Sequence, residues 1–253
     1  MTVAGQRQDQ PKRIVLTTWG SYGDLFPILA LGCGLRQRGH EVIVATPEFY
    51  RQVVTDLGLI FRPIRPALPD INESEVIFRR LMDRRRGTER VVREGVLPGL
   101  ADMYEDLSEI ARGADLIGAT LLALAGRLVA EMQEIPWFSV ALQPSVFLST
   151  SDPSVFGVIP GMERLRPLPP FAHRLMNRGM TTVANRWTAP WQEVRRELGL
   201  PRDQRNPLLR GQFSPDLVLA MFSAAFARPQ PDWPDDVVIT GFPFADSVGN
   251  EPL

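Results

Sequence analysis

One carboxylate is better placed for chemistry than any other group in this chain: Asp24, inside the run Gly20-Ser21-Tyr22-Gly23-Asp24-Leu25-Phe26-Pro27. Two roles are open to it. Aspartate is a frequent helix N-cap, accepting hydrogen bonds from the backbone of the first turn. With Asp24 as the cap, Pro27 stands at the third helical position and has no N–H to offer. The cap then bonds mainly to the Phe26 amide and keeps spare acceptor capacity. Such a carboxylate can also take a proton from a hydroxyl within hydrogen-bond reach. Other reactive side chains are sparse: Cys33 is the only cysteine, and His40 and His173 are the only histidines. Too few ligands exist for a Cys/His zinc cluster. Cys33 falls in the middle of a predicted helix, which disfavours a Cys-His nucleophile. His40 follows a helix C-terminus, where capping or packing is the ordinary role, and His173 follows a proline-rich stretch with no evident partner.

The elements that must position Asp24 are legible around it. Arg13 to Thr18 is a short apolar strand, and Ile28, Leu31 and Leu35 fall at helical spacing until Gly39-His40. A strand, a glycine-bearing turn and a helix open an α/β sheet, and ligands in such sheets gather outside the carboxyl ends of the strands. Further strands are predicted at Glu41–Thr46, Leu59–Pro63, Asp115–Gly118, Trp137–Leu142, Leu217–Met221 and Val237–Thr240. Nearly continuous apolar runs suit parallel strands covered on both faces. Helices are expected from Pro47 to near Gly58, from Ser74 to Arg93, from Leu100 to Ala111, from Leu121 to Glu134, and from Phe171 to Gly199 with a break at Pro190. The expected fold is one Rossmann-like α/β domain, an open parallel sheet of about seven strands with helices on both faces. It should run from residue 12 to 244, after a disordered lead-in (1–11) and before the start of a linker (245–253).

Composition narrows the function classes. A chain of 253 residues, 44% hydrophobic and 23% charged, can bury a sizeable core, and a net charge of −1 argues against bulk nucleic-acid binding. One cysteine gives no disulfide framework, so a reducing, cytoplasmic setting is expected. No apolar stretch is long enough to span a bilayer. The segment Ser74–Arg93 is basic, with seven arginines. It reads either as a solvated helix face or as an arm that meets an anionic acceptor or a membrane surface, the latter through Arg79 to Arg93. The segment from Gln143 to about Pro170 is long and irregular, and its apolar residues Val146, Phe147, Leu148, Val155, Phe156, Val158 and Ile159 suggest a pocket wall or lid. Neither a Gly-x-Gly-x-x-Gly turn after a strand nor a Walker loop is present, which weighs against a dinucleotide oxidoreductase or an NTPase.

Taken together, Gly-Ser-x-Gly-Asp-x-x-Pro, Ala30-Leu31-Gly32 and Arg38-Gly39-His40-Glu41-Val42 resemble the N-terminal domain of GT-B glycosyltransferases of the family-28 type. That group includes sterol glucosyltransferases, antibiotic glycosyltransferases and rhamnolipid-type rhamnosyltransferases. Further matching pieces are Leu124 to Glu131 with Ile135-Pro136-Trp137, Gln143-Pro144-Ser145, Phe147-Leu148-Ser149, Pro229 to Pro234, and Thr240 to Asp246. The likeness runs from Lys12 to Asp246, and its order and spacing make it specific.

The resemblance implies half of a two-domain inverting enzyme. This half would hold a hydrophobic hydroxylated acceptor (a lipid, sterol or polyketide). The other would hold a nucleoside-diphosphate sugar, which is a donor substrate and not a cofactor. The family's base falls on Asp24, with Gly20, Ser21, Tyr22 and Gly23 forming the loop near the substrates and Gln143, Ser145 and Phe147 lining the acceptor pocket. The family's His-x-Gly-Gly-x-Gly-like donor turn does not occur here. The chain alone is therefore expected to lack the donor site and turnover, as a fragment or one half of a split enzyme. A stand-alone binding module that keeps the acceptor pocket without catalysis is the alternative.

Overall fold

The computed structural model describes residues 10–68, 79–81, 83, 86–154 and 162–244. Seven short apolar runs form β1 (Arg13–Thr17), β2 (Glu41–Thr46), β3 (Ile60–Pro63), β4 (Leu116–Thr120), β5 (Trp137–Ala141), β6 (Val218–Ala220) and β7 (Val237–Ile239). They make one sheet in the order β3-β2-β1-β4-β5-β6-β7, and every neighbouring pair is parallel. Parallel strands need crossover connections, and helices supply them. The main ones are α1 (Tyr22–Gln37), α2 (Arg51–Asp56), α3 (Leu100–Ile110), α4 (Ala125–Gln133), α5 (Pro170–Trp187) and α6 (Ala189–Glu197).

Strand order reverses once. The chain leaves β1 for β2 and β3 on one side, then returns to place β4 on the other side of β1. The connections on either side of that reversal lie on opposite faces, and in such sheets ligands bind at the carboxyl ends of the strands flanking the reversal, here β1 and β4. Residues 18–24 follow β1 directly, so the Asp24 loop sits at this switch point.

Alternation along each strand divides the core. Ile14, Leu16, Val42 and Val44 pack with Leu25, Ile28 and Leu29 of α1 and Val54 of α2. Val15, Ile43 and Ile117 point the other way, against Met103 and Leu107 of α3, Leu128 and Val129 of α4, and Trp191 of α6. A smaller aromatic cluster covers Ala141, Val218 and Ala220.

Some boundaries differ from expectation. The helix predicted from Leu121 begins at Ala125, because Thr120 and Ala123 carbonyls accept the Ala123 and Gly126 amides in successive turns. The break predicted at Pro190 falls two residues earlier at Thr188. Pro190 sits in the first turn of α6, where a missing N–H costs nothing. In the basic segment, residues 79–81 are helical and a helical run resumes at Gly87, passing through a π-helical stretch (Val91–Val96) into α3. Residues 74–78, 82, 84 and 85 lie outside the described residues. So do Val155, Phe156, Val158 and Ile159, residues 1–9 of the lead-in, and the linker residues 245–253. Among the described residues no helix is long and apolar enough to cross a membrane.

Candidate functional site

The loop after β1 folds into a capping box. Ser21, not Asp24, is the N-cap of α1: its hydroxyl accepts the Gly23 amide at 3.2 Å, and Asp24 stands at the third helical position. Asp24 Oδ2 reaches back to accept the Ser21 N–H at 2.8 Å and the Ser21 hydroxyl at 3.0 Å. The expected register was therefore three residues late. Pro27 lies inside the helix at its sixth position and plays no part in the cap. The signal was present in the sequence, since Ser-x-x-Asp before an apolar run has the spacing of a capping box.

Asp24 keeps spare acceptor capacity for a different reason from the one expected. Both capping bonds fall on Oδ2, and outside its own residue Oδ1 has no hydrogen-bond partner among the described residues. Burial pushes the carboxyl above its ordinary range, against the opposing pull of the Ser21 amide and hydroxyl. The loop is held from several sides. Gly20 has a φ of +146°, and a Cβ there would collide with the Asp24 carboxylate, so glycine is required for the close approach. Tyr50, just before α2, donates its hydroxyl to the Gly20 carbonyl at 2.8 Å. Burial, with the charges of Tyr22 and Asp24, pushes the Tyr50 phenol up to about 12, so it remains a donor at neutral pH. Trp19 donates its indole N–H to Pro66 O at 2.8 Å. At the same switch point, the Thr120 hydroxyl at the end of β4 donates to the Thr18 hydroxyl at 3.0 Å.

Tyr22 is exposed and stacks on Phe26, with ring centroids 5.3 Å apart, and meets Tyr50 and Phe49 edge-on. An aromatic face thus lies beside the carboxylate. Sequence reasoning missed Tyr50 and Phe49, which are distant along the chain and carry no motif.

The other predicted site residues follow β5, two strands from β1. At about 4.8 Å per strand that is roughly 10 Å along the same edge of the sheet. Gln143 is exposed and Ser145 half-buried at the start of a short 3₁₀ turn (Pro144–Phe147). Phe147 goes elsewhere. It is 3% exposed, and its ring stacks on Trp233 at 4.1 Å and Phe213 at 5.0 Å in the aromatic cluster over β5 and β6. It is a core residue, also bordering a separate cavity of about 360 Å³ that includes none of residues 20–24.

Polar residues and prolines of the proline-rich segment, not the apolar Val146, Phe147 and Leu148, line one wall of a cleft of about 220 Å³. Pro144, Ser149, Asp152 and Arg166 line it from one side and Phe226 and Gln230 from the other. Asp232 fixes that wall, accepting from the Ser149 hydroxyl (2.7 Å), the Thr150 amide (2.6 Å) and the Thr150 hydroxyl (2.8 Å). Burial raises the Asp232 carboxyl, but these three donors outweigh it and hold the group below its usual range. His40 and His173 take structural partners: His40 Nδ1 accepts the Lys12 amide at 3.2 Å, and buried His173 meets Arg166 O at 3.4 Å. In the basic segment Arg80 pairs with Glu94 and Arg93 with Glu89. Among the described residues no group of three or more His, Cys, Asp or Glu could hold a metal ion.

A parallel sheet with one order reversal and a loop-borne carboxylate at that reversal defines a doubly wound α/β domain. Residues 14–150, more than half of the chain, match the Glycosyltransferase family 28 N-terminal domain, and the chain belongs to that family. It is 34% identical over 248 residues to O-mycaminosyltylonolide 6-deoxyallosyltransferase from Streptomyces fradiae, covering 95% of this chain and 56% of the relative. A sterol 3-beta-glucosyltransferase from Eremothecium gossypii is 27% identical over 239 residues, which is 93% of this chain and 18% of that protein. Among solved structures, the kitacinnamycin glycotransferase superposes with a TM-score of 0.61 at 19% identity, covering 92% of this chain and 52% of its own. That likeness concerns the fold alone, one Rossmann-like α/β domain that corresponds to about half of a GT-B glycosyltransferase. The chain spans about half the length of the first of these relatives and of the solved structure.

Proposed function

We propose that this domain is the acceptor-binding half of an inverting glycosyltransferase that moves a hexosyl or deoxyhexosyl group from a nucleoside-diphosphate sugar to a hydrophobic hydroxylated acceptor. Asp24 carries the proposal: a half-buried carboxylate at the switch point of the sheet, with one oxygen tied to Ser21 and the other without a partner beyond its own residue. The acceptor hydroxyl gives its proton to Oδ1 while its oxygen attacks the anomeric carbon. The bond to the leaving nucleoside diphosphate breaks on the opposite face, which inverts the centre. A raised pKa suits a group that must accept a proton during this step. Gly20, Ser21, Tyr22 and Gly23 shape the loop, the aromatic face around Tyr22 receives the apolar body of the acceptor, and Gln143 and Ser145 border its entry. Phe147 holds the wall from within the core. The names of the relatives, one a deoxyhexosyltransferase and one a sterol glucosyltransferase, support this substrate class. Donor binding belongs to a second half, so the 253-residue chain by itself does not turn over.

The test is fusion of this chain to the C-terminal half of the Streptomyces fradiae relative, followed by a sugar-transfer assay. The fusion should transfer sugar, and Asp24→Asn should lower the rate by about 10²–10⁴-fold while acceptor binding to the isolated chain persists. Transfer that survives Asp24→Asn overturns the base assignment. Acceptor binding with no transfer in any fusion points to a non-catalytic binding module. Tight binding of a nucleoside diphosphate to this chain alone contradicts the acceptor-half assignment.

A further inference from the structure

Helix α5 is unusual for what it leaves in solvent. His173 and Ala184 face inward and are buried, and Asn177 donates to Leu148 O at 2.8 Å, so one side of the helix is packed. On the other side, Phe171 is 70% exposed and Leu175 is 68% exposed, and Leu168, in the bend before the helix, is 41% exposed. At 3.6 residues per turn, Phe171, Leu175, Arg178 and Arg186 share one outward stripe, with Arg174 at its border. None of Arg174, Arg178 and Arg186 has an ion-pair partner among the described residues. The 18 residues of α5 include no Asp or Glu.

From this pattern we infer that the outward face of α5 docks the domain on an anionic lipid bilayer, with Phe171 and Leu175 entering the acyl boundary and the arginines meeting headgroup phosphates. An interfacial helix needs an apolar stripe combined with cationic side chains, and long arginine stems let the charge stay at headgroup level. A second copy of the chain is a poorer occupant. Two-fold packing of this face would oppose guanidinium to guanidinium, with no carboxylate on the helix to relieve the repulsion. Arg80 and Arg93 of the basic segment are less suited, since they already pair with Glu94 and Glu89. This inference stands on α5 alone and does not depend on the role of Asp24.

Cosedimentation of the 253-residue chain with large unilamellar vesicles tests it. Binding is expected to vesicles of phosphatidylcholine with one quarter phosphatidylglycerol, to weaken as salt is raised, and to be far weaker with phosphatidylcholine alone. Arg174→Gln and Arg178→Gln should each weaken binding about fivefold. Phe171→Ser with Leu175→Ser should abolish it while leaving the circular dichroism spectrum and melting temperature unchanged, because both side chains face solvent. Arg80→Gln with Arg93→Gln should leave binding intact. Failure of the wild-type chain to bind anionic vesicles overturns the inference, as does unchanged binding by Phe171→Ser/Leu175→Ser. So does a concentration-dependent dimer that those two substitutions dissociate, which would give the stripe to a second copy.

Discussion

One oxygen of Asp24 is tied to Ser21 and the other is not, and the pH dependence of stability weighs burial of the carboxyl against those bonds. The folded carboxyl lies above its ordinary range because burial outweighs the Ser21 bonds. The native state therefore holds more protons than the unfolded state between the ordinary carboxylate pKa and the raised one. Within that window stability falls as pH rises, and above it the cost is constant. Asp24→Asn carries no charge to desolvate, and its amide oxygen can still accept the Ser21 N–H. Thermal melts from pH 3.5 to 7 should show the wild type losing melting temperature relative to Asp24→Asn across the window, with the variant at least as stable at pH 7. A wild type that instead gains on the variant as pH rises would show that the capping bonds outweigh burial. Combined with lost transfer in the fusion assay, the expected result would mark a group retained at a cost to folding.

At the scale of elements, helix α1 begins where Ser21 says it begins, and Ser21 also adjusts the carboxylate beside it. Ser21→Ala removes the acceptor of the Gly23 amide and a donor to Asp24 Oδ2. The expected cost is about 1 kcal/mol in a denaturant titration. Because the lost hydroxyl bond had lowered the Asp24 pKa, the acidic limb of a transfer pH profile should move to higher pH. A destabilised variant with an unmoved limb would confine Ser21 to capping. Much of this level was legible in the sequence. The strands are apolar runs with their turn residues intact, and β2 was predicted to the residue. The start of α1 was misplaced because aspartate was weighed alone and not as the far end of Ser-x-x-Asp. The start of α4 was misplaced because Leu121 to Leu124 continue an apolar pattern while actually turning the chain. What could not be read is what joins distant segments. Tyr50 reaching Gly20 and Asp232 reaching Ser149 and Thr150 depend on the packed fold, and neither spacing nor residue type announces them. Phe147 shows the same limit. An aromatic residue in an irregular loop has the composition of a pocket lining, and only packing assigns it to the core.

For the molecule as a whole, a buried ionic clamp joins α4 and α6 to the strap that leads into β6. Arg195 donates to Glu131 at 2.6 Å and twice to Pro201 O, at 3.0 and 2.9 Å, with its guanidinium 4.9 Å from the Trp191 ring. Arg127 bonds the other Glu131 oxygen at 2.6 Å, Gly211 O at 2.7 Å, and Asp203. Asp203 is raised by burial, but bonds from the Arg205 amide and Arg127 outweigh this and bring it down to about 2. The motif Leu124 to Glu131, part of the family likeness, therefore supplies a structural clamp. Removing one partner from such a network strands the others, whereas removing two together relieves most of that penalty. Arg195→Met should destabilise the chain by about 3 kcal/mol, read as a lower urea midpoint with an unchanged slope. Glu131→Gln should also cost stability, and Glu131→Gln/Arg195→Met should cost clearly less than the two singles combined. Additive losses would mean that the arginine acts through its packing on Trp191 and its bonds to Pro201 O, and that the charges at α4 and α6 are independent neighbours.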